Sequence, residues 1–266
     1  MTGTTNWRYA ASSVTGTAHA SAERGCDDAW SCEIVQSDEG RQYLIAAVAD
    51  GAGSSELGAI GSQIACKSIV DQAQDWLKMH SNLRAITETT AHEWLDGVKE
   101  SIANEAGELG LELRDLATTL LFAIVGEDEA FFSQVGDGAI VVLDAENEWS
   151  WASWPQHGAF ASETYFVTDP GAHNMICSSM ARRPIREIAL FTDGLERLLL
   201  NHAEKTVQSA AFDKMFKPLR ASGESGEDTT LSKSLNAYLS SPAVASRSDD
   251  DITLIIASRS KPELDQ

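Results

Sequence analysis

Cysteine is scarce in this chain, and its few residues are scattered. Cys26, Cys32, Cys66 and Cys177 form no C-x-x-C pair and have no His at zinc-finger spacing. That argues against a zinc ribbon and a disulfide framework, and points to a reducing compartment. Basic residues are also few, with 20 Lys and Arg against 40 Asp and Glu for a formal charge of −20. Such a field repels nucleic acid and anionic membrane and attracts divalent cations. Long apolar runs are missing too: Leu44–Ala49 and Leu120–Val125 are far too short to span a bilayer. The first twenty residues lack a basic segment followed by an apolar one, so no export signal is read there. A cytoplasmic location is expected, with neither nucleic acid nor membrane as partner. No repeat, heptad array or low-complexity tract is present.

What the chain does have is five acidic clusters, each beside a hydrophobic run. They are CDDAW at Cys26–Trp30, VADGAGS at Val48–Ser54, VGDGA at Val135–Ala139, FTDGLE at Phe191–Glu196 and SDDDITLII at Ser248–Ile256. Three of them put Asp-Gly directly after an apolar stretch, so the Asp sits where a buried strand leaves the core. One Asp-Gly after a strand is ordinarily just a turn. Five such clusters together suit carboxylates converging on hard divalent cations.

The spacing predicts strands at Trp7–Ala11, Trp30–Val35 and Tyr43–Ala49, then helices from Ile60 to His80 and over Ala85–Leu109. A meander is expected at Thr118–Val125, Ala130–Val135, Ile140–Leu143 and Trp149–Trp154. Further strands are expected at Glu163–Thr168 and Glu187–Phe191. Helices are read at Leu195–Leu200, at Val207–Lys217 (stopped by Pro218) and at Leu231–Leu239, before a last strand at Ile252–Ala257. Short connections in the meander favour antiparallel sheets and a layered α+β architecture. If Asp50 and Asp250 serve one site, the first and last strands are neighbours and residues 1–266 form a single domain. Ser222–Asp228 is the one linker-like stretch, and it joins two helices.

Oxygen-only ligation suits Mg²⁺ or Mn²⁺ better than Zn²⁺, and two such ions about 3.5–4 Å apart form a clamp for in-line attack by water at phosphorus. On these motifs, in this order, the chain resembles the metal-dependent type 2C (PPM) Ser/Thr protein phosphatases from about Ser12 to Ala257. CDDAW, DGAGSSELG, ATTLL at Ala117–Leu121, VGDGAIVVL, FTDGLERLL and DDITLII carry the likeness. The resemblance implies a four-layer α-β-β-α sandwich: two stacked antiparallel sheets flanked by helix pairs, with the metals at one edge. It implies that Asp50 bridges two ions and that Gly51 offers its carbonyl to one. Asp193 and Asp250 would complete the ligands of the first ion, although three Asp in a row at Asp249–Asp251 allow a slip of one residue. Asp28, helped by Asp27, would serve the second ion. Asp137 matches an Asp that in some members helps hold a third, looser ion.

The family's phosphate-gripping Arg falls at Ala22, Glu23 and Arg24, which makes Arg24 a candidate at shifted register. GTAH at Gly16–His19 and ETYF at Glu163–Phe166 resemble a bacterial branch with a His in this loop, which makes His19 the other. That branch implies phosphoprotein substrates, a cognate Ser/Thr kinase and a von Willebrand A-type protein as partners.

Four rival readings stand beside this one. Cys177–Arg183 fits the C-x5-R loop of cysteine-dependent phosphatases, but it has no glycine and Pro184 follows at once. It is read instead as a mobile segment beside the metal site, with Arg182, Arg183 and Arg186 exposed. His92-Glu93 lacks the second His of a zincin helix, and GAGSS lacks a serine-hydrolase elbow. A catalytically weak relative acting as a binding module is the remaining alternative, against which stands the retention of every matched Asp.

Overall fold

The computed structural model describes residues 6–55, 57–80, 82–157 and 164–260. It begins with strand β1 (Trp7–Val14), a one-turn helix α1 (Thr17–Ser21) and the hairpin β2 (Asp28–Gln36) and β3 (Gln42–Asp50). Two long helices follow, α2 (Gly58–Met79) and α3 (Glu88–Leu109), and then strands β4 (Leu120–Val125), β5 (Ala130–Val135), β6 (Ala139–Asp144) and β7 (Trp149–Ser153). After them come α4 (Ala172–Met175), β8 (Cys177–Ala181), β9 (Ile185–Phe191) and α5 (Glu196–Leu199), then the small hairpin β10 (Leu200–Asn201) and β11 (Thr206–Val207). The chain continues through α6 (Ser209–Ala221), β12 (Gly226–Glu227), α7 (Thr229–Leu239) and α8 (Pro242–Ala245) to β13 (Ile252–Arg259).

Alternation along the buried strands explains the layers. In β3, Leu44, Ala46 and Val48 face one way, and Tyr43, Ile45, Ala47 and Ala49 the other. The first set meets Ile140, Val142, Ile188, Leu190, Ile255 and Ala257 of the opposing sheet, forming the core between sheets. The second set meets Ile69, Val70, Ala73, Trp94, Val98 and Ile102 of α2 and α3. On the far side, Phe212, Phe216, Leu219 and Leu235 of α6 and α7 cover Ala10, Val141, Phe191 and Leu254. Helices, sheet, sheet, helices: the four-layer α-β-β-α sandwich is the observed architecture. Strand order is β12-β1-β13-β9-β6-β7 in one sheet and β2-β3-β4-β5-β8 in the other. Pairing is antiparallel throughout both sheets except for the two-residue parallel contact of β12 with β1. β1 pairs with β13 over its whole length, so the first and last strands are neighbours as expected.

Four expectations need correction. The segment Cys177–Ala181 is no mobile loop but edge strand β8, paired with β5; its polar, exposed face gave no apolar signal. Arg183 there is tied to Asp144 at 3.0 Å, and Arg186 to Asn147 at 2.5 Å. α3 starts at Glu88 because Thr87 caps it, its hydroxyl accepting from Thr90 N. α6 runs through Pro218 to Ala221, because Phe212, Phe216 and Leu219 anchor its last turns on the sheet and outweigh one lost backbone bond. Residues 164–168 form no strand, and Glu163 lies outside the described residues. Ser222–Asp228 does join two helices, and β12 within it docks on β1.

Candidate metal and phosphate site

The acidic side chains gather where the strands leave one edge of the sandwich. Asp28 opens β2 and stands opposite Asp50, the last residue of β3. Asp137 occupies the β5–β6 turn, which Gly136 makes possible with φ +116°. Asp193 starts a 3-10 turn just beyond β9, and Asp250 lies just before β13, the strand paired with β9. Asp50, Asp137 and Asp193 each offer a carboxylate oxygen within 4.8 Å of the other two.

Threonines embedded in the same motifs fix this geometry. Thr192 Oγ1 donates to Asp28 Oδ2 at 2.7 Å and accepts from Thr253 N at 2.9 Å. Thr118 Oγ1 donates to the Asp50 carbonyl and Thr119 Oγ1 accepts from Asp50 N, both at 2.9 Å. Gly51 N donates to the Asp27 carbonyl at 3.1 Å, and any Cβ on Gly51 would collide with the backbone of Gly58. Only glycine fits that turn.

Burial pushes the Asp28 carboxyl up to about 7. Burial, then the charges of Asp137 and Asp250, pushes Asp193 up to about 8. Asp50 rises well above the usual carboxylate range, through burial and then the charges of Asp28 and Asp193. Asp137 rises chiefly by burial. Asp250 keeps more solvent contact at the rim and rises through partial desolvation. Among the described residues, one oxygen each of Asp28, Asp137 and Asp193 is buried with no hydrogen-bond partner. Packed carboxylates with orphaned oxygens are the arrangement that a hard, oxygen-seeking cation compensates. The donor set therefore fits Mg²⁺ or Mn²⁺.

The neighbouring Asp251 does a different job. Its carboxylate accepts from Gly16 N at 2.7 Å, His19 Nδ1 at 2.9 Å and Asp27 N at 2.5 Å, clamping the first loop to the last strand. Of the three successive Asp, it is Asp250 whose charge acts on Asp50 and Asp193. The Asp27 carboxylate is engaged by Arg24 Nη2 at 2.5 Å, and Arg24 Nη1 donates to the Gly53 carbonyl at 2.9 Å. His19 Nε2 lies 3.7 Å from where a Cβ on Gly53 would stand, so both cation candidates border the same turn. Cys177 sits exposed on β8, its Sγ accepting from Gln156 Nε2 at 3.0 Å, and its backbone is extended and paired with β5 rather than wound into an anion-binding loop. Sequence reasoning missed Asp251 and the threonine supports. Thr118, Thr119 and Thr192 stood inside the motifs, but nothing in the sequence links Thr192 to a carboxylate 164 residues away.

Among the described residues, no helix is long and apolar enough to cross a membrane. A family model for protein phosphatase 2C matches residues 15–240. The chain is 32% identical over 254 residues to serine/threonine-protein phosphatase 3 of Escherichia coli (strain K12), covering 95% of this chain and 98% of that one. Among solved structures it is similar to the catalytic domain of the serine/threonine protein phosphatase PstP in complex with two manganese ions (TM-score 0.63, 16% identity). That match covers 97% of this chain and all of the other. It is also similar to RsbX in complex with magnesium (TM-score 0.54, 15% identity, 96% of each chain). At those identities the structural likeness is one of fold.

Proposed function

The chain belongs to the protein phosphatase 2C family, and from that premise we propose a metal-dependent phosphatase that hydrolyses phospho-Ser and phospho-Thr esters on proteins. The whole chain, residues 1–266, acts as one catalytic domain, a reading supported by the pairing of β1 with β13. The observation that carries the reading is the group of carboxylates of buried Asp28 and half-buried Asp137 and Asp193, each with one buried, orphaned oxygen and each raised above the usual carboxylate range chiefly by burial. Such a group is costly to maintain unless cations neutralise it.

In this reading Asp50, with Asp193 and Asp250, holds one Mn²⁺ or Mg²⁺ ion, and Gly51 adds its carbonyl. Asp28 would serve a second ion, with help from Asp50 and from Asp27, whose Oδ2 is held by Arg24, and Asp137 would help hold a third. Bound there, the ions supply Lewis-acid charge at phosphorus and lower the pKa of the attacking water. The chain's own residues orient that chemistry. Thr118 and Thr119 lock the Asp50 backbone, Thr192 fixes the Asp28 carboxylate, and Asp251 sets the position of His19. His19 captures the phosphoryl group through Nε2. Support for His19 over Arg24 is availability, since the Arg24 guanidinium is already committed to Asp27 and Gly53.

The substrate is a phosphoprotein. The likeness to the bacterial branch supports a cognate Ser/Thr kinase as the source of that substrate, a von Willebrand A-type protein as associate, and a cytoplasmic location. The test is turnover of a phosphothreonine peptide by EDTA-treated protein. No hydrolysis is expected until Mn²⁺ or Mg²⁺ is returned, and undiminished turnover in EDTA overturns the proposal.

A further inference from the structure

Two imidazoles and a carboxylate meet beside the aspartate cluster, outside every motif that carries the family likeness except for Glu196. Glu196 opens α5, three residues after Asp193; His202 follows β10, and His157 lies four residues past β7. Glu196 Oε1 stands 3.0 Å from His157 Nε2 and 3.1 Å from His202 Nε2. One potential ligand atom of each residue lies within 4.8 Å of the other two. Donors bound to one tetrahedral cation at about 2.0–2.1 Å stand roughly 3.3 Å from each other, so this trio is close to ligating geometry. Its chemistry differs from that of the neighbouring cluster. Carboxylate-only sites suit hard ions, whereas imidazole with carboxylate suits Zn²⁺ and its borderline relatives.

The hairpin that carries His202 is tied to the sheet. The turn of the β10–β11 hairpin is closed by Asn201 Nδ2 donating to Glu204 Oε2 at 3.0 Å. Trp151 Nε1 on β7 donates to the Lys205 carbonyl at 3.2 Å, which ties the hairpin carrying His202 to the strand that leads to His157. The His202 ring packs edge-on against Trp154 at 5.4 Å, and the Lys205 ammonium lies over Trp151 and Trp154. Support of this kind holds ligands near one geometry before any ion arrives. The Glu196 side chain is only 12% exposed, and its charge raises the carboxyls of Asp137 and Asp193. A cation at the trio relieves that repulsion.

We infer that His157, Glu196 and His202 form a separate site for a borderline divalent cation of the Zn²⁺ type, adjacent to the oxygen-only cluster and sharing no ligand with it. Three protein ligands leave at least one coordination position for water or an anionic ligand. The inference does not depend on the phosphatase reading.

Co²⁺ is the probe, because bound by imidazoles at low coordination number it absorbs visible light far more strongly than in an octahedral all-oxygen shell. Titrating untagged protein with Co²⁺, and displacing it with Zn²⁺, should reveal one equivalent with that signature. Asp50→Ala should keep the band, since Asp50 belongs to the other cluster. His173→Ala should keep it as well. His157→Ala and His202→Ala should each lose it and bind Zn²⁺ more than about 100-fold more weakly, since even the outer partners of a metal site are worth 10–100-fold. Far-UV circular dichroism should show all four variants folded, the two histidines of the trio being substantially solvent-exposed. A wild-type protein without the band overturns the inference before any variant is made. So does a band that survives both histidine substitutions, or one that Asp50→Ala removes.

Discussion

Replacing Asp193 with Asn removes a charge while keeping the side chain's shape, and the cost of holding that charge can be read as pH-dependent stability. The Asp193 carboxyl is raised from 3.8 to about 8, by burial first and then by Asp137 and Asp250. In metal-free protein the folded state therefore binds this proton more tightly than the unfolded chain does. Its contribution is complete below about pH 4 and is lost progressively up to about pH 8. Each unit corresponds to about 1.4 kcal/mol, so between pH 5 and pH 8 the wild type should lose roughly 4 kcal/mol relative to Asp193→Asn. Urea unfolding in EDTA at several pH values measures the difference directly. Saturating Mn²⁺ should offset that loss, because an ion that binds only the folded wild type adds about 4 kcal/mol at a thousandfold excess over its Kd. A wild-type-minus-variant difference that stays flat from pH 5 to 8 in EDTA would refute the picture of an overcrowded carboxylate.

Further substitutions separate the remaining assignments. Cys177→Ser should leave kcat within a few-fold of wild type; a dead variant in steady-state assays would restore the cysteine mechanism. His19→Ala should lower kcat/KM on a phosphopeptide by about 10- to 100-fold, the worth of one charge-assisted hydrogen bond, while Arg24→Ala changes it by only a few-fold. The reverse ranking would make Arg24 the phosphate grip. Gly61→Ala drives a Cβ into the Leu116 backbone carbonyl where α2 meets the loop before β4, and should destabilise the protein by about 1–3 kcal/mol in chemical denaturation. An unchanged midpoint would show that α2 can shift.

The core was legible because its strands are apolar on both faces. β3 packs Leu44, Ala46 and Val48 on one side and Ile45, Ala47 and Ala49 on the other, which gives a continuous run that no surface segment imitates. The aspartates were legible for a related reason: each stands at one end of such a run. What escaped lacked that contrast. β8 is a polar edge strand held by backbone bonds to β5, and nothing in Cys177–Ala181 announces a sheet. Thr87 set the start of α3 through one hydroxyl, and the Phe212–Leu219 stripe carried α6 past its proline. Within the site, Asp250 and Asp251 are indistinguishable as letters. Only the fold shows Asp251 turned to Gly16, Asp27 and His19, while the charge of Asp250 acts on Asp50 and Asp193 and both charges act on Asp28. His157, Glu196 and His202 are likewise brought together by packing alone.

The most direct test of the dimetal assignment is to measure bound Mn²⁺ and phosphothreonine-peptide turnover on the same samples of wild type and Asp50→Ala. Asp50 links both proposed ions, and its loss removes charge compensation and geometry together. The assignment predicts that folded Asp50→Ala loses tightly bound Mn²⁺ and, with it, essentially all turnover. A folded Asp50→Ala that retains full metal stoichiometry and wild-type activity contradicts it.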